Sequence, residues 1–169
     1  LNLLSENGFS VNDIIAVEPK APLGTIASYG EDDELDVFPL ESFDFKKADI
    51  AIFCCTKEIG KKYLKSATTS NCKVIDLSTA SFTMSDVPSI IPELNGDLVT
   101  KDTNIIAIPS SCVYQILLPL ATTIKNNPLT RLVVNAYIST SHYGRPAMDE
   151  LFSQSRKIFL NESLADNEQ

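Results

Sequence analysis

Ser111 and Cys112 are the residues whose type and place in the chain best fit a nucleophile. They follow the apolar run Asn104–Ile108 and Pro109, and they precede apolar residues at helical spacing over Val113–Ala121. This order predicts a strand, a tight turn and a helix start. A hydroxyl or thiol at such a junction lies exposed above the sheet, and a helix N-terminus lowers a thiol pKa because it favours the thiolate. The turn is therefore the first candidate for covalent chemistry.

A strand–helix–strand pattern must position this turn. The strand candidates Ala48–Cys55 and Lys73–Leu77 flank the amphipathic helix Lys57–Ser70, and the first of them is the most continuous apolar candidate of the chain, which is typical of a parallel sheet. The pattern predicts an α/β fold. Cys54 and Cys55 end a strand on the side where such sheets bind ligands, so they are candidate cofactor neighbours. The alternative, a small buried core residue, is the more common fate of a free cysteine.

The rest of the chain is divided by proline, glycine and polar clusters. Before the strand–helix–strand pattern we expect a helix end at Leu1–Asn7 capped by Gly8, a strand at Asp13–Val17, a loop at Glu18–Gly30, and a solvated acidic turn rather than a metal site at Glu31–Glu34. After it we expect an irregular segment at Ser78–Leu98, which displays Glu93 and Asn95 on a loop, and a helix from Val113 to about Asn126 with a kink at Pro119. The last elements expected are a strand at Thr130–Ser139, a helix at Pro146–Leu160 and a polar tail at Asn161–Gln169. The break at Asn126–Pro128 predicts a domain boundary between residues 1–127 and 128–169.

Composition excludes several classes of partner. The chain has 14 Lys+Arg against 22 Asp+Glu, a formal net charge of -8, and lacks a basic stretch, so nucleic acid and anionic membranes are not expected partners. It also lacks an apolar run long enough to cross a membrane and opens without a signal-peptide pattern, which predicts a cytoplasmic protein. Its four cysteines form no CxxC pair, so we expect reduced thiols rather than a zinc site or a disulfide framework.

Several short motifs stand in a particular order along nearly the whole chain. They are Asp49–Phe53, Val74–Asp76, Asp86–Pro88, Ile91–Asn95, Ile105–Ala107, Gln115, and Gly144 through Met148–Leu151. Their order and spacing resemble the bacterial aspartate-semialdehyde dehydrogenase family. The resemblance implies a Rossmann-like parallel sheet that lacks its first strand, with the glycine-rich turn falling before Leu1, and then the start of an α+β catalytic and dimerisation domain.

The resemblance also implies a reaction and the residues for it. In that family a cysteine attacks the aldehyde, the thiohemiacetal gives hydride to NADP, and inorganic phosphate releases aspartyl phosphate; full-length members are homodimers. The implied catalytic residues here are Cys112 or Ser111, with Gln115. Glu93 and Asn95 would bind substrate, and the NADP site would take Lys20, Cys54, Cys55 and Thr79.

Departures from the family pattern keep two hypotheses open. Anchoring the turn on Pro109 and Gln115 puts the family's cysteine at Ser111, with Cys112 one place late, and one residue rotates a helical side chain by about 100°. If Cys112 is the nucleophile, its sulfur should face Glu93 and Gln115. The family's phosphate-binding arginine, an asparagine and an active-site glutamine fall on Phe82, Leu77 and Ile138.

The chain is therefore either part of a working dehydrogenase or a non-catalytic relative that keeps the fold as an interaction or dimerisation module. A serine at the thiol position is a weak nucleophile without a base, which favours the second hypothesis. The only histidine, His142, replaces a glycine of the family, and we expect a surface or packing role for it rather than that of a base. A third register aligns Ser110–Cys112 with the Ala-Ser-Cys turn of glyceraldehyde-3-phosphate dehydrogenases and would make Cys112 the nucleophile, although the rest of the chain does not support it.

Overall fold

The protein is mixed α/β and divides into two compact units. A computed structural model describes residues 1–8, 10–22, 24–31, 33–127 and 129–161. The units are Leu1–Asn127 and Pro128–Gln169, so the division falls within the break expected at Asn126–Pro128. Which unit binds cofactor and which carries catalysis stays a prediction.

The centre of the first unit is a parallel sheet. Its strands are β4 (Ile50–Phe53), β5 (Lys73–Asp76) and β6 (Ile105–Ala107), in the spatial order β4-β5-β6. Helix α2 (Lys57–Thr69) connects β4 to β5. The predicted α/β core is confirmed, because a continuous apolar strand and an amphipathic helix can bury their surfaces only against each other.

The core of this unit lies between the sheet and α2. Strand side chains alternate between the two faces of a sheet, so the same face carries Phe53 and Val74, and α2 contributes Leu64 and Ala67 to it. The buried cluster is Phe45, Phe53, Leu64, Ala67, Cys72 and Val74. The opposite face of the sheet carries Ile52, Ile75 and Ile106, which are aligned across the three strands. On that face Ile52 remains 41% exposed.

A second sheet precedes the parallel one in sequence. It contains β1 (Ala16–Glu18), β2 (Ile26–Tyr29) and β3 (Asp33–Pro39), in the order β1-β3-β2, with β1 parallel and β2 antiparallel to β3. The predicted loop at Glu18–Gly30 is wrong over β2. The acidic turn is wrong at Asp33 and Glu34, which begin β3, while Asp32 lies outside the described residues. Pairing with β3 overrides the local glycine and proline signals.

Shorter differences occur at the remaining predicted elements of this unit. Helix α1 covers Asn2–Glu6, and the strand expected at Asp13–Val17 begins later, at Ala16. The segment expected to be irregular contains the one-turn helix α3 (Pro92–Asn95). The single kinked helix is instead two helices, α4 (Ser111–Leu117) and α5 (Ala121–Asn126), because Pro119 removes an amide donor and interrupts the ladder. Short 3-10 turns cover Leu40–Ser42, Phe45–Lys47, Ala80–Thr83 and Gly96–Leu98.

The second unit contains the 3-10 turn Thr140–Tyr143 and helix α6 (Arg145–Phe159), which confirms the predicted helix at Pro146–Leu160. The strand predicted at Thr130–Ser139 is wrong: these residues have no regular structure. Its β-branched residues suit a strand, but no strand pairs with it in the described part of the chain, and a lone strand leaves its amides unpaired. Most of the tail expected after Asn161 lies outside the described residues.

No helix in the described ranges is both long and apolar enough to cross a membrane.

Candidate functional site

The turn after β6 presents Ser111 and Cys112 differently. Ser110 caps α4, and its carbonyl accepts the Tyr114 amide at 3.0 Å, so helical geometry begins at Ser111. Ser111 is exposed, whereas Cys112 is half-buried. The strand–turn–helix prediction for this stretch is therefore confirmed, although the helix begins two residues earlier than expected.

Helical geometry separates the two candidate nucleophiles. Residues three or four apart lie on one side of a helix, so Ser111 shares a side with Tyr114 and with Gln115, and Cys112 shares a side with Gln115. Residues two apart are rotated by about 200°, which turns Cys112 away from Tyr114. This distinction matters because Tyr114 is the residue that contacts Glu93.

The hydroxyl of Tyr114 donates a 2.8 Å hydrogen bond to Oε2 of Glu93, the first acidic residue of α3. This hydrogen bond holds the pKa of Glu93 below its ordinary value, with a smaller contribution from the charge of Lys125. The same bond raises the pKa of the Tyr114 phenol. Glu93 is therefore a fixed anion on the side of α4 that Ser111 shares. Tyr114 was not among the residues predicted from the sequence. The signal that could have indicated it is its position three residues after Ser111, on the same side of the predicted helix.

Asn95 is committed to the local fold of the α3 segment. Its Oδ1 accepts the Ile91 amide at 2.8 Å, and its Nδ2 donates to the Ser89 carbonyl at 2.9 Å. These bonds close the turn that leads into α3 and so hold the backbone next to Glu93. A substrate contact by Asn95 stays a prediction.

A buried carboxylate lies at the carboxyl end of β5. Asp76 is fully buried, and each of its oxygens accepts a backbone amide and a hydroxyl, from Ser78 and from Ser81. The four distances are 2.5–2.8 Å. Burial by itself raises the pKa of Asp76, but these hydrogen bonds outweigh it and hold the pKa below its ordinary value. Asp76 is therefore a buried anion with both oxygens paired.

The loop that Asp76 holds contains the predicted cofactor residue Thr79. Thr79 has a φ of 63° and lies in the left-handed region, which is rare for a β-branched residue. Gly60 of α2 packs against this loop so closely that a Cβ there would overlap Ser78 Oγ and lie 2.8 Å from the Ala80 Cβ. The loop is thus fixed by hydrogen bonds to Asp76 and by packing against Gly60 of α2.

Cys54 and Cys55 follow β4 next to this loop and differ in exposure. Cys54 is exposed and Cys55 half-buried. Burial, and then the negative charge of Asp76, raise the pKa of Cys55, which favours its thiol form. These features agree with the core interpretation for Cys55 better than with a reactive thiolate. All four cysteines of the chain are free thiols.

The other predicted residues are not joined to this cluster. Lys20 is exposed in the turn that follows β1 and makes no hydrogen bond or ion pair with any described residue. His142 is exposed in the second unit, and its ring meets that of Tyr143 edge-on, with centroids 5.3 Å apart. Over the ranges that the structure covers, no three histidine, cysteine or acidic residues are grouped as metal ligands would be.

Taken together, a parallel sheet with covering helix and a fixed loop at its carboxyl edge define an α/β ligand-binding domain of the dinucleotide type. Residues 2–101 match the family described as semialdehyde dehydrogenase, NAD binding domain. The chain belongs to this family, whose cofactor is a nicotinamide dinucleotide.

Similar proteins carry a more specific name. An aspartate-semialdehyde dehydrogenase from Rickettsia conorii is 35% identical over 162 residues, covering 95% of this chain and 48% of the relative. Its namesake from Rickettsia bellii is also 35% identical, over 99% of this chain and 50% of the relative. The chain therefore spans about half the length of these curated relatives.

A solved structure confirms the Rossmann-like fold. The crystal structure of aspartate semialdehyde dehydrogenase II from Vibrio cholerae in complex with ASA superimposes with a TM-score of 0.84 at 26% identity. The match covers 98% of this chain and 49% of that one.

Proposed function

We propose that this chain is part of an NADP- and phosphate-dependent aspartate-semialdehyde dehydrogenase, which interconverts aspartate semialdehyde and aspartyl phosphate through a thioester. The observation that carries the proposal is the match of almost the whole chain, at 35% identity, to relatives of that name. The strand–turn–helix with Ser111 and Cys112 supports it, since acyl transfer through a thioester needs a nucleophile and such a turn can present one to a substrate.

The cofactor fits the carboxyl edge of the parallel sheet. There the Asp76-bound loop presents Thr79, whose amide and hydroxyl have no hydrogen-bond partner among the described residues. Such donors suit the acceptor oxygens of a dinucleotide. When bound, NADP would accept the hydride. Thr79 would bind it, the exposed Cys54 would lie beside it, and Lys20 could supply a positive charge for the 2′-phosphate.

The chemistry of the nucleophile and its position on α4 favour different residues. A thiol is the stronger nucleophile, so Cys112 is the chemical choice for the thioester. Ser111 is the more exposed group and shares its side of α4 with the Tyr114–Glu93 pair. Cys112 lies on a different side of α4 from the Tyr114–Glu93 pair, contrary to the orientation expected of a nucleophilic thiol, so we assign the thioester to Cys112 on thiol chemistry alone, with Gln115 three positions along the helix.

Glu93 is the proposed partner of the substrate's ammonium group, because it is exposed and ionised. Asn95 would act by holding the backbone that carries Glu93. A homodimer, inorganic phosphate as second substrate and a cytoplasmic location complete the proposal; they rest on the family resemblance.

A non-catalytic role is the alternative. It is favoured by Phe82 and Leu77, which stand where the family has a phosphate-binding arginine and an asparagine, and which are 44% and 45% exposed. Apolar side chains at these positions cannot bind phosphate. In this hypothesis the chain keeps the fold as an interaction module.

The test is an assay of the full-length gene product for phosphate-dependent reduction of NADP by aspartate semialdehyde. We expect activity that Cys112→Ala abolishes and that Ser111→Ala reduces less than tenfold. Ser66→Ala, an exposed serine on α2, is the control. The folded protein showing no activity above background would leave only the non-catalytic role, and loss of activity in Ser111→Ala alone would move the nucleophile to Ser111.

A further inference from the structure

We propose that Asp76 is a positioning residue for the dinucleotide: it fixes the loop Leu77–Phe82 so that the amide and hydroxyl of Thr79 are donors for one acceptor oxygen of the cofactor. This inference rests on the proposed function, since it takes the dinucleotide as the ligand. It assigns a task to a buried charge that the reaction itself does not use.

The first support is the hydrogen bonding of Asp76. Its Oδ1 accepts the amide and hydroxyl of Ser78, and its Oδ2 accepts those of Ser81. The two serines are on either side of Thr79. A buried, ionised carboxylate that receives four donors fixes their backbone strongly, because each donor lost leaves a buried charge less compensated.

The second support is the set of amides in the loop Leu77–Phe82. The Leu77 amide donates to the Phe53 carbonyl, and the Phe82 amide to the Thr79 carbonyl. The Ala80 amide donates to Ser78 Oγ at 3.3 Å. The amides of Ser78 and Ser81 donate to Asp76, so within the part of the chain that the structure describes every amide of this loop has a partner except that of Thr79. An uncommitted amide among satisfied ones is a feature that a ligand can complete.

The third support is the backbone of Thr79. Its φ of 63° is left-handed, a conformation that costs a non-glycine residue energy and persists only where its surroundings enforce it. Asp76 supplies that enforcement through Ser78 and Ser81. Gly60 of α2 closes the remaining space, since any side chain there would collide with Ser78.

The position of the loop selects the class of ligand. It follows β5 at the carboxyl edge of a parallel sheet, where α/β folds bind nucleotides. A neutral amide and a hydroxyl suit an acceptor oxygen, such as a phosphate or carboxamide oxygen of the dinucleotide. The Asp76 carboxylate already accepts four hydrogen bonds, none of them from Thr79, so it does not compete with the ligand for the Thr79 donors.

The experiment follows backbone amide resonances of the protein during titration with NADP. We expect the Thr79 amide to shift. In Asp76→Asn this shift should be lost, or the dissociation constant should weaken by about tenfold, the equivalent of one good hydrogen bond. Ser81→Ala, which removes one hydroxyl and keeps the charge, should weaken it less. Asp86→Asn, an exposed aspartate outside the loop, is the matched control and should leave the titration unchanged.

Each outcome decides a separate point. Shifts in other amides of the first unit but not in Thr79 would overturn the donor role while leaving the cofactor in place. An unchanged Thr79 response in Asp76→Asn would overturn the positioning role. No response anywhere would overturn both the inference and the NADP assignment. If Asp76→Asn does not fold, Ser81→Ala decides: an unchanged Thr79 response in that variant overturns the positioning role.

Discussion

The Tyr114 hydroxyl and the Glu93 carboxylate are 2.8 Å apart and join helices α3 and α4 across 21 positions of sequence. The bond orients one carboxylate oxygen and fixes the side of α4 that faces Glu93. Ser111 shares that side of α4 and Cys112 does not. This contact therefore places the candidate substrate-binding residue, Glu93, on the side of α4 that carries Ser111 rather than Cys112.

Replacing Tyr114 by phenylalanine should release Glu93. The Tyr114 hydrogen bond is the main cause of the lowered Glu93 pKa, so Tyr114→Phe should raise this pKa toward the ordinary value for glutamate. A carbon-detected carboxylate titration by NMR measures it. The thermal midpoint should change little because the pair lies at the surface. Tyr143→Phe, which removes an exposed phenol in the second unit, is the control, and an equal change in both variants would contradict the assignment.

Asp76 should make stability depend on pH in the acid range. Its folded pKa is lowered, so its contribution is fully present above the unfolded value of about 3.9 and is lost as the pH falls through the folded pKa. Asp76→Asn should reduce the free energy of unfolding at neutral pH by about 2 kcal/mol or more, the range for hydrogen bonds to a charged group. Urea denaturation at several pH values tests this. The difference from the unmodified protein should narrow below about pH 4, and a constant difference would rule out ionisation as its source.

Gly60→Ala should destabilise the first unit although alanine favours helices. The added Cβ would overlap Ser78 Oγ and the Ala80 Cβ, and such overpacking costs about 1–3 kcal/mol. Gly96→Ala is a matched control, because its nearest neighbour, the Pro92 Cβ, lies 3.8 Å away. Thermal unfolding of both variants distinguishes a tight contact from a general glycine effect. Equal midpoints would show that α2 can move away from the loop.

Alkylation should distinguish the two adjacent cysteines. Cys54 is exposed, whereas burial and the charge of Asp76 raise the pKa of Cys55, so iodoacetamide near pH 8 should modify Cys54 first. Peptide mass spectrometry over time measures both rates. In Asp76→Asn the Cys55 rate should increase, because one of the causes of its raised pKa is removed. A Cys55 rate that is insensitive to this change would mean that burial alone protects the thiol.

The elements that were predictable are those fixed by local pattern. The β4–α2–β5 unit follows from a continuous apolar strand and a helical apolar period, both readable within a few residues. The pairing of Asp76 with Ser78 and Ser81 is also local, within five positions, and could have been predicted from the sequence.

What escaped prediction depends on pairing between segments rather than on residue type. Strand β2 pairs with the next strand, β3, with Tyr29 opposite Asp33, but the glycine, proline and acidic residues around it predicted a loop and a turn. The strand expected at Thr130–Ser139 had suitable residues but no partner within the described ranges. The Tyr114–Glu93 bond joins residues 21 positions apart, which no periodicity encodes. Candidate site residues within one short segment were therefore easier to predict from the sequence than contacts between separate segments.

The unpaired stretch Leu132–Ile138 has a further consequence for handling the protein. It is free of charged residues and proline, rich in β-branched and aromatic side chains, and exposed throughout, with Tyr137 fully accessible. Segments of this kind can stack in register as amyloid-like cross-β cores. Mutual repulsion from the net charge of -8 opposes that stacking, so concentrated salt, by screening the repulsion, should speed fibril nucleation.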